Sequence, residues 1–320
     1  MSNALVLSGG SVKGCFQAGA IKAVIESGFI PDTIYGISVG SLNGSFLAQK
    51  AGERYIAKNS ELDQDDWNGI ANDLWNFWVA KIKQPDDVAI ERGIIGDVIR
   101  IAINQFNGLS DTTPINTLVD GLLKLDVLRA SPVDIKVGAV DFITSDLSYV
   151  GADDGDFINH VKGSIAIPIA MPPAAGVMGE VLLDGGTREV APLGVAINDG
   201  AGTIVGILCQ SKDLNVTGTD FNPKNLMKFI DRLEDIIVNQ NVKNDSEWIT
   251  FINKVVSETQ GMNIPSLQGY KLIKHLIIQP DAPLNLDITT FTEADILSNL
   301  QLGYRKGQSL VNANPVPWLS

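Results

Sequence analysis

Residues 36–40 read Gly-Ile-Ser-Val-Gly, a G-x-S-x-G pattern centred on Ser38. A strand that turns at once into a helix puts such a serine on a strained backbone with its hydroxyl projecting outward. The flanking Gly36 and Gly40 remove side chains that would clash in so tight a turn. The pattern suits an acyl-transfer nucleophile, and a plain tight turn would use the same residues. Upstream, Ser8-Gly9-Gly10-Ser11-Val12-Lys13-Gly14 is a run of small residues between an apolar run and a helical pattern. Such a loop points backbone N–H groups at one spot beside a helix N-terminus, where partial positive charge gathers. That suits an oxyanion. A phosphate would suit it too, but the phosphate motifs fail: Gly14 is followed by Cys15 rather than Lys, and the third residue after Gly10 is Lys13 rather than Gly.

A nucleophilic serine needs a base. The chain has two histidines, His160 and His275. His275 falls in a strand pattern and His160 at an apparent helix start, and both read more simply as packed residues. A carboxylate is the other option. Asp184 ends the apolar run Val181–Leu183 and precedes Gly185-Gly186. There it would be exposed at the carboxyl end of a parallel sheet, or it would cap an Asx-type turn. Asp153, Asp154 and Asp156 flank Gly155, but the glutamate a calcium loop needs at its twelfth position is missing, which favours a solvated acidic turn. No cluster has metal-ligand spacing.

The elements that must position these residues follow from periodicity. Leu5–Leu7 and Thr33–Tyr35 read as buried strands. Cys15–Glu26 and Ser41–Gln49 read as helices, the first stopped by Gly28. This alternation implies an α/β fold with a mainly parallel sheet. Gly52–Pro132 reads as a mostly helical insertion, with Ile70, Leu74, Phe77 and Trp78 on one helix face, serving either as core packing or as a lid. Strands resume at Ile135–Val140, Leu147–Val150, Val181–Leu183 and Ile204–Leu208. Pro223–Asn241, Asp245–Ser257 and Thr292–Leu302 read as helices, and Leu272–Ile278 as a strand.

The 320 residues carry a formal charge of −13 and are 45% hydrophobic. That excludes disorder as the main character and leaves no basic footprint for nucleic acid or for a polybasic membrane anchor. Cys15 and Cys209 lie in apolar runs and read as buried thiols, too few for a disulfide framework. The first residues lack the basic start of a signal peptide. The longest uncharged runs, Thr33–Gln49 and Gly163–Gly179, are 17 residues each and broken by Gly or Pro, so no transmembrane segment and a cytoplasmic location are expected.

Four blocks in order resemble the patatin-like phospholipases. The glycine-rich loop of that family, D/S-G-G-G-x-R/K-G, resembles Ser8–Gly14. Its elbow resembles Gly36–Gly40. Its S-x-A-x-P-x-x-x-P-P segment resembles Ser164, Ala166, Pro168, Pro172 and Pro173, and its D-G-G/A resembles Asp184–Gly186. The likeness covers roughly Ala4–Leu208. It implies a three-layer α/β/α sandwich, with residues 1–210 as catalytic core (52–132 the helical insertion) and 211–320 continuing the same domain. It implies a Ser38–Asp184 dyad without histidine, and an oxyanion hole from Gly9, Gly10 and Ser11, framed by Lys13 and Gly14. It also implies a lipid or membrane-surface substrate, peripheral membrane contact and no cofactor. The departures are Ser11 in place of a third glycine, and Lys13, which keeps the charge of arginine but not its planar fork. A short-chain esterase or thioesterase, and a non-catalytic lipid or protein binder, stay open beside the lipid hydrolase.

Overall fold

The computed structural model describes residues 2–93, 107–211, 249–259 and 272–313, with the single positions 96, 100, 232, 236, 247 and 318. The helix expected over 223–241 lies outside the described residues apart from the helical positions 232 and 236.

Alternation of apolar residues builds the sheet. In β1 (Asn3–Leu7), Leu5 and Leu7 face one apolar cluster while Ala4 and Val6 face the other. β1 lies between β2 (Thr33–Ile37) and β9 (Thr203–Ile207), and all three run parallel. β10 (Lys274–Ile278) extends the sheet beyond β9, and β5 (Asp134–Asp141) extends it beyond β2, again in parallel. The result is a mixed α/β fold with a mostly parallel central sheet.

The larger cluster lies under α1 (Gly14–Glu26), α2 (Val39–Lys58), α3 (Gln64–Lys81) and α8 (Glu293–Ala313). The smaller one lies under α7 (Leu193–Asn198) and the helical residues 249–258. Gly28, at φ 94°, lets the chain reverse after α1 as expected. Helix α3 starts on a reciprocal cap between Asp63 and Asp66, and Ile70, Leu74, Phe77 and Trp78 form its buried face. Between α3 and β5 come a two-stranded hairpin of β3 (Ile90–Glu91) and β4 (Ser110–Asp111), then α4 (Thr113–Leu122) and α5 (Leu125–Arg129).

One detail of the sheet positions the site. The first five residues of β5 pair with β2 in parallel, and Ile37 stands opposite Gly138. Beyond the end of β2, residues 139–141 of β5 pair with β8 (Val181–Asp184), which runs antiparallel. The opposite edge of β5 is taken by β6 (Leu147–Gly151). So β2 and β8 meet head to head along one edge of β5, and their carboxyl ends face each other. β8 is also paired with β7 (Ala174–Ala175). The expectation that Asp184 ends a parallel strand and is exposed is therefore corrected: its strand is antiparallel, and Asp184 is buried.

Candidate active site

Ser38 sits alone between β2 and α2 with φ 52° and ψ −127°, a backbone that non-glycine residues rarely adopt. Three contacts hold it. Its N–H donates to Ser164 Oγ at 2.8 Å, and Ser164 Oγ donates in turn to the Gly138 carbonyl at 2.6 Å. The Ser41 hydroxyl donates to the Ser38 carbonyl at 2.6 Å. The flanking glycines are required by space. A Cβ on Gly36 would lie 2.5 Å from the Gly40 carbonyl oxygen, and one on Gly40 would lie 2.2 Å from that of Leu7. The 20-residue helix α2 begins immediately after Ser38, so its positive end lies at the hydroxyl.

The head-to-head meeting of β2 and β8 places Asp184 against that hydroxyl. Ser38 Oγ donates to Asp184 Oδ2 at 2.6 Å, and both residues are 5% exposed. Oδ1 accepts the Gly186 N–H at 2.7 Å. Of the two readings of Asp184 the Asx-type turn is the one realised, closed by Oδ1, while Oδ2 faces the serine. Burial raises its pKa from 3.8 to about 6; the hydrogen bonds from Ser38 and Gly186 oppose the rise.

The loop Ser8–Gly14 lies alongside. Gly9 approaches so closely that an added Cβ would meet Ser38 Cβ at 3.1 Å. Its N–H, however, donates to the Val190 carbonyl at 3.0 Å, so the expected oxyanion contact from Gly9 is corrected. The amides of Gly10 and Ser11 have no acceptor among the described residues. Both residues take positive φ, 151° and 53°. The Lys13 amide closes the turn onto the Gly10 carbonyl at 3.1 Å. Gly14 opens α1 against Val39 and Trp78, where a Cβ would lie 2.2 Å from the Val39 side chain.

From Ser38 an open groove of about 470 Å³ runs between Val39, Leu42, Trp78, Ile115, Ile167 and Met171. Ser11 and Ser38 are the hydroxyl-bearing residues in its lining. Beyond the shared wall of Ile167, Met171 and Ile288 lies a wider hollow of about 990 Å³ that also carries Asp86, Glu91 and Ser110.

The model of the patatin-like phospholipase family matches residues 5–197. The chain belongs to the patatin-like phospholipase family. Rat patatin-like phospholipase domain-containing protein 7 is 24% identical over 214 residues, which is 66% of this chain and 14% of the rat protein. Human patatin-like phospholipase domain-containing protein 6 is 23% identical over 214 residues, 66% of this chain and 13% of the human protein. The chain therefore spans about a seventh of the length of these curated relatives. Among solved structures, VipD from Legionella pneumophila aligns at TM-score 0.41 and 16% identity, covering 98% of this chain and 67% of that one.

In this patatin-like site the histidines stand elsewhere. His160 lies in the first turn of α6 (Phe157–Ser164), with Nδ1 3.4 Å from Asp156 Oδ2 and Nε2 3.4 Å from Ser148 Oγ. His275 is on the edge strand β10, 3.4 Å from Asn253. In the acidic turn, Asp154 accepts the Asp156 N–H at 2.8 Å and Asp156 accepts the Val177 N–H at 3.2 Å. Among the described residues, no three His, Cys, Asp or Glu side chains converge. Cys15 and Cys209 are buried, and burial pushes the Cys209 thiol up to about 12.

Sequence reasoning missed the frame under the loop. Trp78 Nε1 donates to Asn43 Oδ1 at 2.9 Å, and Asn43 Nδ2 donates to Gln17 Oε1 at 2.9 Å. Gln17 Nε2 then donates to the carbonyls of Ser8 and Ile207, at 3.2 and 3.0 Å. The available signal was two amides, Gln17 and Asn43, in helices whose neighbouring residues are buried. Ser164 was visible as a motif residue, but its hold on the Ser38 N–H was not.

Proposed function

We propose that this chain is a serine-dependent lipid acyl hydrolase of the phospholipase A or lysophospholipase type, working through a Ser38–Asp184 dyad. The single observation that carries the reading is the 2.6 Å hydrogen bond from Ser38 Oγ to a buried aspartate, at the head of an apolar groove. Family membership supports lipid hydrolysis as the broad activity.

In this mechanism Ser38 Oγ attacks the ester carbonyl while Asp184 Oδ2 takes the hydroxyl proton. The Gly10 and Ser11 amides hold the developing oxyanion, aided by the positive end of α2. Collapse expels the alcohol, which leaves with the proton from Asp184, and an acyl-serine remains. Water then attacks the acyl-enzyme, with Asp184 again accepting the proton. The apolar lining of Leu42, Trp78, Ile167 and Met171 suits contact with a fatty acyl chain.

A lipid surface as the source of substrate is supported by the rim. Phe142 and Ile143 follow β5, Ile169 interrupts the groove wall between Ile167 and Met171, and Val177 and Met178 form the tip before β8. All five are exposed, Met178 at 90%. Among the described residues no helix is long and apolar enough to cross a membrane. The C-terminal part supports one continuous domain, because β10 joins the sheet and α8 packs on α1.

The test is fatty-acid release from mixed glycerophospholipid vesicles by the native chain beside Ser38→Ala. We expect release by the native chain and a loss of at least about 10³-fold in the variant. Release that persists in Ser38→Ala would remove Ser38 from the mechanism. Cleavage confined to short soluble esters would favour the esterase reading, and no cleavage of either would favour a binder.

A further inference from the structure

Ser11 stands where the patatin-like loop usually has glycine, and two features set it apart from its neighbours. Its φ of 53° is one that glycine adopts freely and serine does not. Its Oγ is fully buried and has no hydrogen-bond partner among the described residues. Buried hydroxyls are almost always paired, so an unpaired one needs an explanation.

The residues before Gly10 are engaged. Ser8 Oγ donates to the Gly9 carbonyl at 2.9 Å and accepts the Cys209 N–H at 2.9 Å. Gln210 Nε2 donates to the Gly9 carbonyl at 3.1 Å, and the Gly9 N–H is held by Val190. Unmet hydrogen-bonding capacity in this loop thus begins at Gly10 and Ser11, where two amides and the Ser11 hydroxyl have no partner among the described residues. Ser11 also lines the groove that Ser38 opens into. The other indole or amide donors nearby are engaged: Trp78 Nε1 is bonded to Asn43 and Gln17 Nε2 to two carbonyls. Glycine at position 11 would relieve the backbone and remove the orphaned hydroxyl. Serine therefore carries two local costs that nothing in the free protein repays, the signature of a group kept for a bound partner.

We propose that the Ser11 hydroxyl is a third oxyanion donor. It hydrogen-bonds the substrate carbonyl oxygen as negative charge develops there, beside the amides of Gly10 and Ser11. An acceptor entering this groove to be attacked by Ser38 brings its carbonyl oxygen to that side, and the N–H and O–H of one residue can converge on one atom. No proton is transferred; the hydroxyl stays a donor throughout. This inference rests on the hydrolase reading above.

The experiment compares native, Ser11→Gly, Ser11→Ala and Ser38→Ala on a soluble p-nitrophenyl ester, with kcat and KM separated and thermal midpoints recorded. Ser11→Gly should melt higher than native yet lose roughly 10- to 100-fold in kcat with KM nearly unchanged. Ser11→Ala, which lacks the hydroxyl but keeps the strained backbone, should lose a similar factor in kcat without matching the gain in midpoint. A purely structural role predicts the opposite pairing, because a stabilised site should keep its rate. Native kcat in Ser11→Gly overturns the proposal, and so does a loss confined to KM, which would make the hydroxyl a ground-state contact. Turnover by native with none by Ser38→Ala shows that the hydrolase reading stands independently. No turnover by native on this ester or on glycerophospholipid vesicles overturns that reading and this proposal with it.

Discussion

At Asp184, burial and hydrogen bonding pull in opposite directions. Loss of water disfavours the carboxylate, while Ser38 Oγ and the Gly186 N–H favour it, and the balance lies at about 6. A carboxyl in that range can take a proton from serine more readily than an ordinary aspartate and is still ionised at neutral pH. We expect kcat/KM to rise with pH through about 6 and then level off, with the acid limb absent from any residual activity of Asp184→Asn. Turnover in that variant should fall by about 10²–10⁴-fold. Its stability should move the other way. The native fold binds the Asp184 proton more tightly than the unfolded chain does. This contribution to stability is fully present below about pH 4 and is lost as the pH rises through about 6. Asparagine cannot ionise, so Asp184→Asn should be more stable than native at about pH 8, by on the order of 1–3 kcal/mol, and the gap should close towards about pH 4. Denaturant midpoints at the two pH values decide it, and a variant less stable at both would place the desolvation cost elsewhere.

Among the elements, α1 and α8 cross at close range. A Cβ on Gly19 would lie 1.9 Å from the Leu300 carbonyl oxygen, and one on Gly303 would lie 1.9 Å from that of Phe16. The two backbones touch, and α1 carries the Ser8–Gly14 loop at its start. Gly303→Ala must push them apart and should destabilise the fold by about 2–3 kcal/mol, lowering activity as the loop shifts. Gly121, near the end of α4, has open space where a Cβ would go. Gly121→Ala should therefore be neutral or stabilise by about 0.5–1 kcal/mol. Paired urea titrations would test both, and equal effects would refute the close-packing account. The strands β2, β5 and β8 are the other decisive set. Periodicity reveals each as a strand, but not that β8 takes up the edge of β5 where β2 stops. That arrangement depends on pairing between segments distant in the chain, such as Thr33 with Asp134 and Ala139 with Asp184, and leaves no mark in local spacing.

For the whole molecule, the apolar rim and the acidic charge set the terms of contact with lipid. A chain of charge −13 gains nothing from an anionic surface, so the proposed contact with lipid rests on apolar burial. Burying one side chain of the size of Phe or Met contributes about 1.5–3 kcal/mol. Phe142→Asp and Met178→Asp together should cut hydrolysis of zwitterionic vesicles at least about 10-fold. Cleavage of a soluble short-chain ester should stay within about twofold, because neither residue lines the groove. Equal loss on both substrates would turn the rim into a structural feature.

What was legible in the chain was local. The strand–turn–helix at Ser38, the small-residue loop at Ser8–Gly14, the apolar face of α3 and the stop at Gly28 all follow from backbone sterics and side-chain periodicity over a few residues. The resemblance then singled out Asp184, for which position alone left two readings even. Tertiary packing decided the rest. It brought Asp184 across 146 residues to Ser38 and turned its strand antiparallel. It engaged the Gly9 amide with Val190, and left the Ser11 hydroxyl unpaired beside the nucleophile. Each of these outcomes is a matter of which distant group fills a bond or excludes water, and neither spacing nor composition encodes that.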